Sequence, residues 1–255
     1  MILEKHHNYV NIFLNEPEML NAFSTGLKEQ LLSALKEVEQ DDSIHVVILS
    51  GKGKSFCAGG DLKGMAKEYT TLDIKETMDQ SAMIVELIRK MPKLVIAAVH
   101  GYAAGAGMSL ALASDLIIAE EHSKFSLSFK NVGLIPDLGL LYHLPKKIGE
   151  WKAKEWIWKG VTISVEEAYD YGFIYEIVAK NQSLERASIL AGELENGPLQ
   201  AFTHSKWIIN SSSSLSFEEV IQKENMSQTL LRTTLDHREG VESFIEKRRP
   251  EFTGK

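Results

Sequence analysis

An α/β fold closed by a helical C-terminal part is what the hydrophobic pattern of this chain predicts. Residues 46–49, 94–99 and 116–119 are unbroken apolar runs of buried-strand length. Between them lie stripes at three- and four-residue spacing, first Leu27, Leu31, Leu35 and Val38, then Ile84, Leu87, Ile88 and Met91, and each stripe lines one face of a helix. Alternation of this kind argues for an α/β core. After about Tyr175 the strand-like runs cease.

Each element has its own reason. Residues 8–14 alternate apolar and polar side chains, the period of a strand with one covered face. The runs at 46–49, 94–99 and 116–119 contain no polar position and have the length of buried strands. A helical run begins beside Asp137, and Pro145 is expected to interrupt it. Trp151, Trp156 and Trp158 fall on the next helix, where packing is the expected role for all three. Residues 184–194, 201–209, 217–234 and 238–247 read as helices. The polar run from Ser211 to Ser214 separates two of them, and Ser216 with Glu219 three positions on forms a capping box. No internal repeat and no linker tract interrupts the chain, so the expected division is an α/β core over residues 1–195 and a helical subdomain over 196–255.

Composition narrows the function. A chain of 255 residues that is 44% hydrophobic can bury a sizeable core. Its 28 Lys and Arg against 35 Asp and Glu leave a net charge of −7, which argues against nucleic acid or an anionic membrane as a general partner. The single cysteine, Cys57, can form neither an internal disulfide nor a multi-thiolate metal site. No apolar run approaches the roughly 20 residues that cross a bilayer, and the first residues lack the apolar core of a secretion signal. A cytoplasmic protein without metal, nucleic acid or membrane is the expectation.

Three glycine-bearing turns follow apolar strands, where backbone N–H groups can be offered to a ligand. Gly51-Lys52-Gly53-Lys54-Ser55 imitates the end of a phosphate-binding loop, but Ile48 stands where that motif needs its first glycine. Ala58-Gly59-Gly60-Asp61-Leu62 permits close backbone approach, and Asp61 could cap the following helix. His100-Gly101-Tyr102-Ala103-Ala104-Gly105-Ala106-Gly107 leads from a buried strand into a helix whose first N–H groups are free. Taken alone, the second is a common turn, and the third serves close helix–strand packing as well as it serves a ligand.

Together these two turns, with Ser114-Asp115-Leu116-Ile117-Ile118-Ala119 after them, resemble the enoyl-CoA hydratase/isomerase family, the crotonase superfamily. Pro17-Glu18-Met19-Leu20-Asn21-Ala22 near the start, Val132-Gly133-Leu134-Ile135-Pro136 in the middle and residues 238–248 near the end agree in order, so the resemblance spans essentially the whole chain. It implies a crotonase-like ββα spiral core with C-terminal helices, an acyl-CoA thioester as substrate, no cofactor, and assembly as a homotrimer or hexamer.

The resemblance also assigns roles. The family holds a thioester enolate with one backbone N–H from each glycine-rich turn, and the matching residues are Gly60 and Ala106. Ala106 stands where glycine is usual, so its methyl group demands a compatible φ. The two carboxylates of the family's hydratases correspond to Ser109 and Phe129, neither of which exchanges a proton as a carboxylate does. Asp137 remains, in a Pro-Asp-x-Gly segment like that of family isomerases, where apolar surroundings would raise its pKa toward a usable base. Without the family the same Asp137 reads as a helix N-cap. Substrate and CoA contacts are expected at Met19, Ala22, Ala58, Gly59, Asp61, Lys63, Gly105, Ser109 and Phe129, while Glu18 occupies a position where many relatives carry a base. The favoured activity is therefore an isomerase that shifts a double bond through Asp137. The alternatives are a hydratase or hydrolase recruiting another acid such as Glu68, and a CoA-binding scaffold without catalysis.

Overall fold

In the computed structural model, which describes residues 1–255, the long apolar runs become the middle of one sheet. The strands are β1 (Ile2–Lys5), β2 (Tyr9–Leu14), β3 (Val46–Gly51), β4 (Leu94–Val99), β5 (Tyr102–Ala104), β6 (Leu116–Glu120), β7 (Lys124–Ser126), β8 (Thr162–Ser164) and β9 (Glu176–Val178). Six of them form a sheet in the order β1-β2-β3-β4-β6-β9, parallel throughout except for the antiparallel β1–β2 pair. A second sheet of three strands, β5-β7-β8, stands beside it. The helices are α1 (Thr25–Gln40), α2 (Leu62–Met65), α3 (Thr71–Lys90), α4 (Ala106–Ala113), α5 (Leu140–Ile148), α6 (Glu150–Lys159), α7 (Val165–Asp170), α8 (Ser183–Glu195), α9 (Leu199–Ser212), α10 (Phe217–Leu231) and α11 (Leu235–Glu246).

Strand alternation divides the core between the two faces of the large sheet. Val46, Ile48, Ile96, Ala98 and Ile118 point to one face and pack on Ala187, Leu190 and Ala191 of α8. Val47, Leu49, Val95, Ala97 and Val99 point to the other, into the main core, with Leu27, Leu31 and Leu35 of α1 and Ile84 and Ile88 of α3. A buried ion pair ties α9 to this body: Lys206 Nζ lies 2.8 Å from the Asp115 carboxylate and donates to the carbonyls of Ile88 and Lys93. The carboxylate is further held by the Val95 N–H at 2.7 Å.

The structure departs from the sequence reading at four points. Strands do not stop at Tyr175, because β9 pairs in parallel with β6; at three residues it is too short to show a period. Pro145 lies inside α5 and does not interrupt it. The single helix expected over 217–234 ends at Leu231, and α11 begins again at Leu235 behind a Thr234 cap. Only Trp156 of the three tryptophans packs, edge-on to Tyr171, whereas Trp151 and Trp158 are 88% and 72% exposed.

Candidate active site

The site is assembled by hydrogen bonds that lay one glycine-rich turn along the other. The Phe56 N–H donates to His100 O at 2.8 Å, the Cys57 N–H to Tyr102 O at 3.0 Å, and the Ala104 N–H returns to Cys57 O at 2.9 Å. Two glycines permit this approach. A Cβ on Gly59, whose φ is +101°, would stand 2.9 Å from Ala104 O, and one on Gly107 would stand 2.3 Å from Cys57 O. The turns at 58–61 and 104–107 are thereby held side by side.

Each turn offers a backbone donor. Ala106 is the first residue of α4, so its N–H lies outside the intrahelical ladder and at the positive end of the helix dipole. Its φ is not in the left-handed region, and the methyl group is accommodated without strain; Gly105 takes the unusual geometry instead, with φ 47° and ψ −117°. On the other turn, the Phe23 N–H donates to Gly59 O at 2.7 Å and bridges Phe23 to Gly60, leaving the Gly60 N–H with no acceptor in the chain. Met65 covers this point, its terminal methyl lying 2.6 Å from where a Gly60 Cβ would be.

The segment 17–22 lies against the first turn, which gathers Met19, Ala22, Ala58 and Gly59 into one region. Ala58 N–H donates to Leu20 O at 3.0 Å, and Asn21, fully buried, donates through Nδ2 to the carbonyls of Lys52 and Ser55 at 2.9 and 2.8 Å. Asn21 Oδ1 accepts the Glu16 N–H, so this one amide closes the loop from both sides. Asp61 does cap α2, Oδ1 accepting the Gly64 N–H at 3.0 Å, and Lys63 is exposed on that helix.

Asp137 does not cap a helix. That position belongs to Gly139, with no side-chain hydrogen bond, behind the left-handed pair Leu138 and Gly139 at φ 51° and 77°. Its Oδ1 is buried and has no partner. Burial raises the pKa of the carboxyl above the usual carboxylate range, and the charge of Lys28 opposes that rise. Lys28, on α1, is a residue that sequence reasoning missed. It sits immediately beside the apolar stripe of that helix, where a lysine reads as an ordinary exposed side chain.

The two positions that replace carboxylates behave differently. Ser109 is fully buried and its hydroxyl donates to Gly105 O at 3.3 Å, inside its own helix. Phe129 flanks the second turn, with its ring edge 3.8 Å from where a Gly105 Cβ would be. Glu68 is exposed in the segment between α2 and α3. Cys57 is buried and its thiol is pushed up to about 12, so it stays protonated and is no nucleophile. No three His, Cys, Asp or Glu side chains cluster as metal ligands, and no helix is long and apolar enough to cross a membrane.

Comparison with known proteins identifies the family and the fold. The pattern that defines the enoyl-CoA hydratase/isomerase family matches residues 4–255. The 1,2-epoxyphenylacetyl-CoA isomerase of Escherichia coli K12 is 37% identical, over 96% of this chain and 95% of its own length. Among solved structures, an enoyl-CoA hydratase from Bacillus anthracis superposes with a TM-score of 0.94 at 31% identity, covering 100% of this chain and 99% of the other. An enoyl-CoA hydratase from Polaromonas sp. JS666 superposes with a TM-score of 0.95 at 29% identity, covering 99% of each chain.

Proposed function

Because the chain belongs to the enoyl-CoA hydratase/isomerase family, we propose that it binds an acyl-CoA thioester and shifts a double bond by proton transfer through Asp137. The Asp137 carboxylate removes a proton from the acyl chain beside the double bond, and the electron pair of that C–H bond delocalises onto the thioester oxygen. The N–H groups of Gly60 and Ala106 hold the negative oxygen, each contributing on the order of 3 kcal/mol in such an arrangement. The dienolate then takes the same proton back from Asp137 at another carbon, so no atom is gained or lost and no cofactor is consumed.

The buried, unpartnered Oδ1 of Asp137 carries this reading. A carboxylate oxygen taken out of water without a hydrogen bond is costly for folding, and chemistry at a base accounts for its retention. Its raised pKa suits the role, because a stronger base removes a carbon-bound proton more readily. Hydration needs a second acid–base group to orient water, and Ser109 spends its hydroxyl on Gly105 O, while Phe129 has none to offer. Met19, Ala22, Ala58 and Gly59 supply the CoA-binding surface in this reading, with Asp61, Lys63 and Gly105 beside them. Self-association as a trimer or hexamer is part of the same proposal, and it would cover the exposed Ile209, Met226, Leu230, Phe244 and Ile245 of the last three helices.

The test is a substrate panel of 3-enoyl-CoA, 2,5-dienoyl-CoA and crotonyl-CoA followed by ultraviolet absorbance. Gain of conjugation on the first two is expected, and loss of it on crotonyl-CoA with no gain elsewhere would establish hydration instead. Asp137→Asn should lower kcat by about 10² to 10⁴ and leave CoA binding unchanged. Full turnover in that variant overturns the assignment, and silence of the wild type on all three substrates favours a CoA-binding scaffold.

A further inference from the structure

Where this chain buries a lysine away from the site, it supplies partners. Lys206 Nζ has two carbonyls and a carboxylate, all at 2.8 Å, and Lys93 Nζ donates to Asp41 O at the same distance. Lys28 is different. It is half-buried near the start of α1, and its ammonium rests 5.5 Å from the centroid of the Phe23 ring without an ion-pair or hydrogen-bond partner. Phe23 is the residue bridged to Gly60, so the ammonium stands next to one of the two donor turns.

Two carboxylates act on Lys28 and neither bonds to it. Asp61 is committed to the cap of α2, and Asp137 keeps Oδ1 buried and without a partner. Burial depresses the Lys28 pKa, and the two carboxylates oppose that depression, Asp137 ahead of Asp61. A cation is thus held beside the turn that carries Gly60, with three N–H donors uncommitted.

We propose that Lys28 is a specificity-determining residue, which selects acyl groups bearing an oxygen function, a carboxylate first of all, beyond the reacting carbons. This rests on the thioester-binding reading given above. An aliphatic tail laid against the ammonium would strip its water and return no hydrogen bond, whereas a carboxylate would restore both charge and bonds. The acyl part is indicated over the phosphates of CoA because Lys28 acts on Asp137, the group proposed above as the base.

Binding of unreactive ligands separates the possibilities. Saturated acyl-CoAs of four to eight carbons, each paired with its ω-carboxylate counterpart, are titrated calorimetrically into the full chain, with CoA itself alongside. The wild type should bind at least one ω-carboxylate thioester about 10- to 100-fold more tightly than its aliphatic partner, the range set by one charge-assisted bond. Lys28→Met should erase that preference while leaving CoA affinity intact, and Lys28→Arg should restore most of it. Equal or better binding of every aliphatic member overturns the proposal. An equal loss for all ligands including CoA in Lys28→Met also overturns it, by moving the lysine to the nucleotide. Failure of the wild type to bind any thioester or CoA would instead defeat the underlying reading.

Discussion

Substitution of Gly107 by alanine tests the contact on which the site depends. The added Cβ would stand 2.3 Å from Cys57 O, 2.8 Å from Cys57 Cβ and 3.0 Å from the Cys57 carbonyl carbon. None of these atoms belongs to a flexible side-chain end, so the turns themselves must separate, by about 1 Å to reach ordinary van der Waals contact. Cys57 O already accepts the Ala104 N–H at 2.9 Å, and the displacement stretches that bond. Overpacking costs about 1–3 kcal/mol and loss of the hydrogen bond about 1 more, so a clear fall in Tm is expected. Catalysis should suffer further. A displacement of about 1 Å of the Ala106 donor relative to Gly60 should lower kcat on 3-enoyl-CoA about 10²-fold, at a temperature where circular dichroism shows the variant still folded. Wild-type kcat together with wild-type Tm would refute the reasoning, since the two turns would then not be locked by that contact.

The other predictions probe separate features. A methyl group added to Gly192 in α8 would meet nothing within 4 Å, and the backbone there has an ordinary helical φ, so Gly192→Ala should raise stability by about 0.5–1 kcal/mol and leave kcat unchanged; a loss of stability would contradict the open space there. Burial raises the Asp137 pKa and a base works only when ionised, so kcat/KM should rise with pH along a limb displaced above the usual carboxylate range; a profile flat down to that range would exclude Asp137 as the base. The His143 pKa is pushed down to about 4, first by burial and then by Arg89, Lys146 and Lys147. The unfolded chain takes up this proton near its ordinary value of 6.5 and the folded one does not, so stability present above 6.5 is lost as pH falls toward 4, by up to about 3 kcal/mol. Denaturant titrations of His143→Asn should show a shallower acid loss than the wild type, and an identical slope would count against the assignment.

What the sequence made legible follows from the size of each signal. Long periodic segments stood out: the stripe from Leu27 to Val38 is buried as a unit, and the runs at 94–99 and 116–119 are central strands. Strands of three residues, β5, β7, β8 and β9, have no room for a period, and only the tertiary pairing defines them. The glycines at 59 and 107 could be read as permitting close approach, but what they approach, Ala104 O and Cys57 O, is 45 and 50 residues away in the chain and belongs to the fold. Asp137 shows the limit most clearly. A helix cap and an uncapped carboxylate are written with the same residue ahead of the same apolar run, and the distinction lies in Leu138 and Gly139, whose left-handed geometry delays the helix and leaves Oδ1 without a partner. Lys28 had no local signature at all, because an uncommitted charge is defined by what surrounds it. The function proposed for this chain rests on groups that the fold leaves unsatisfied, and those become visible only when every other donor and acceptor has been paired.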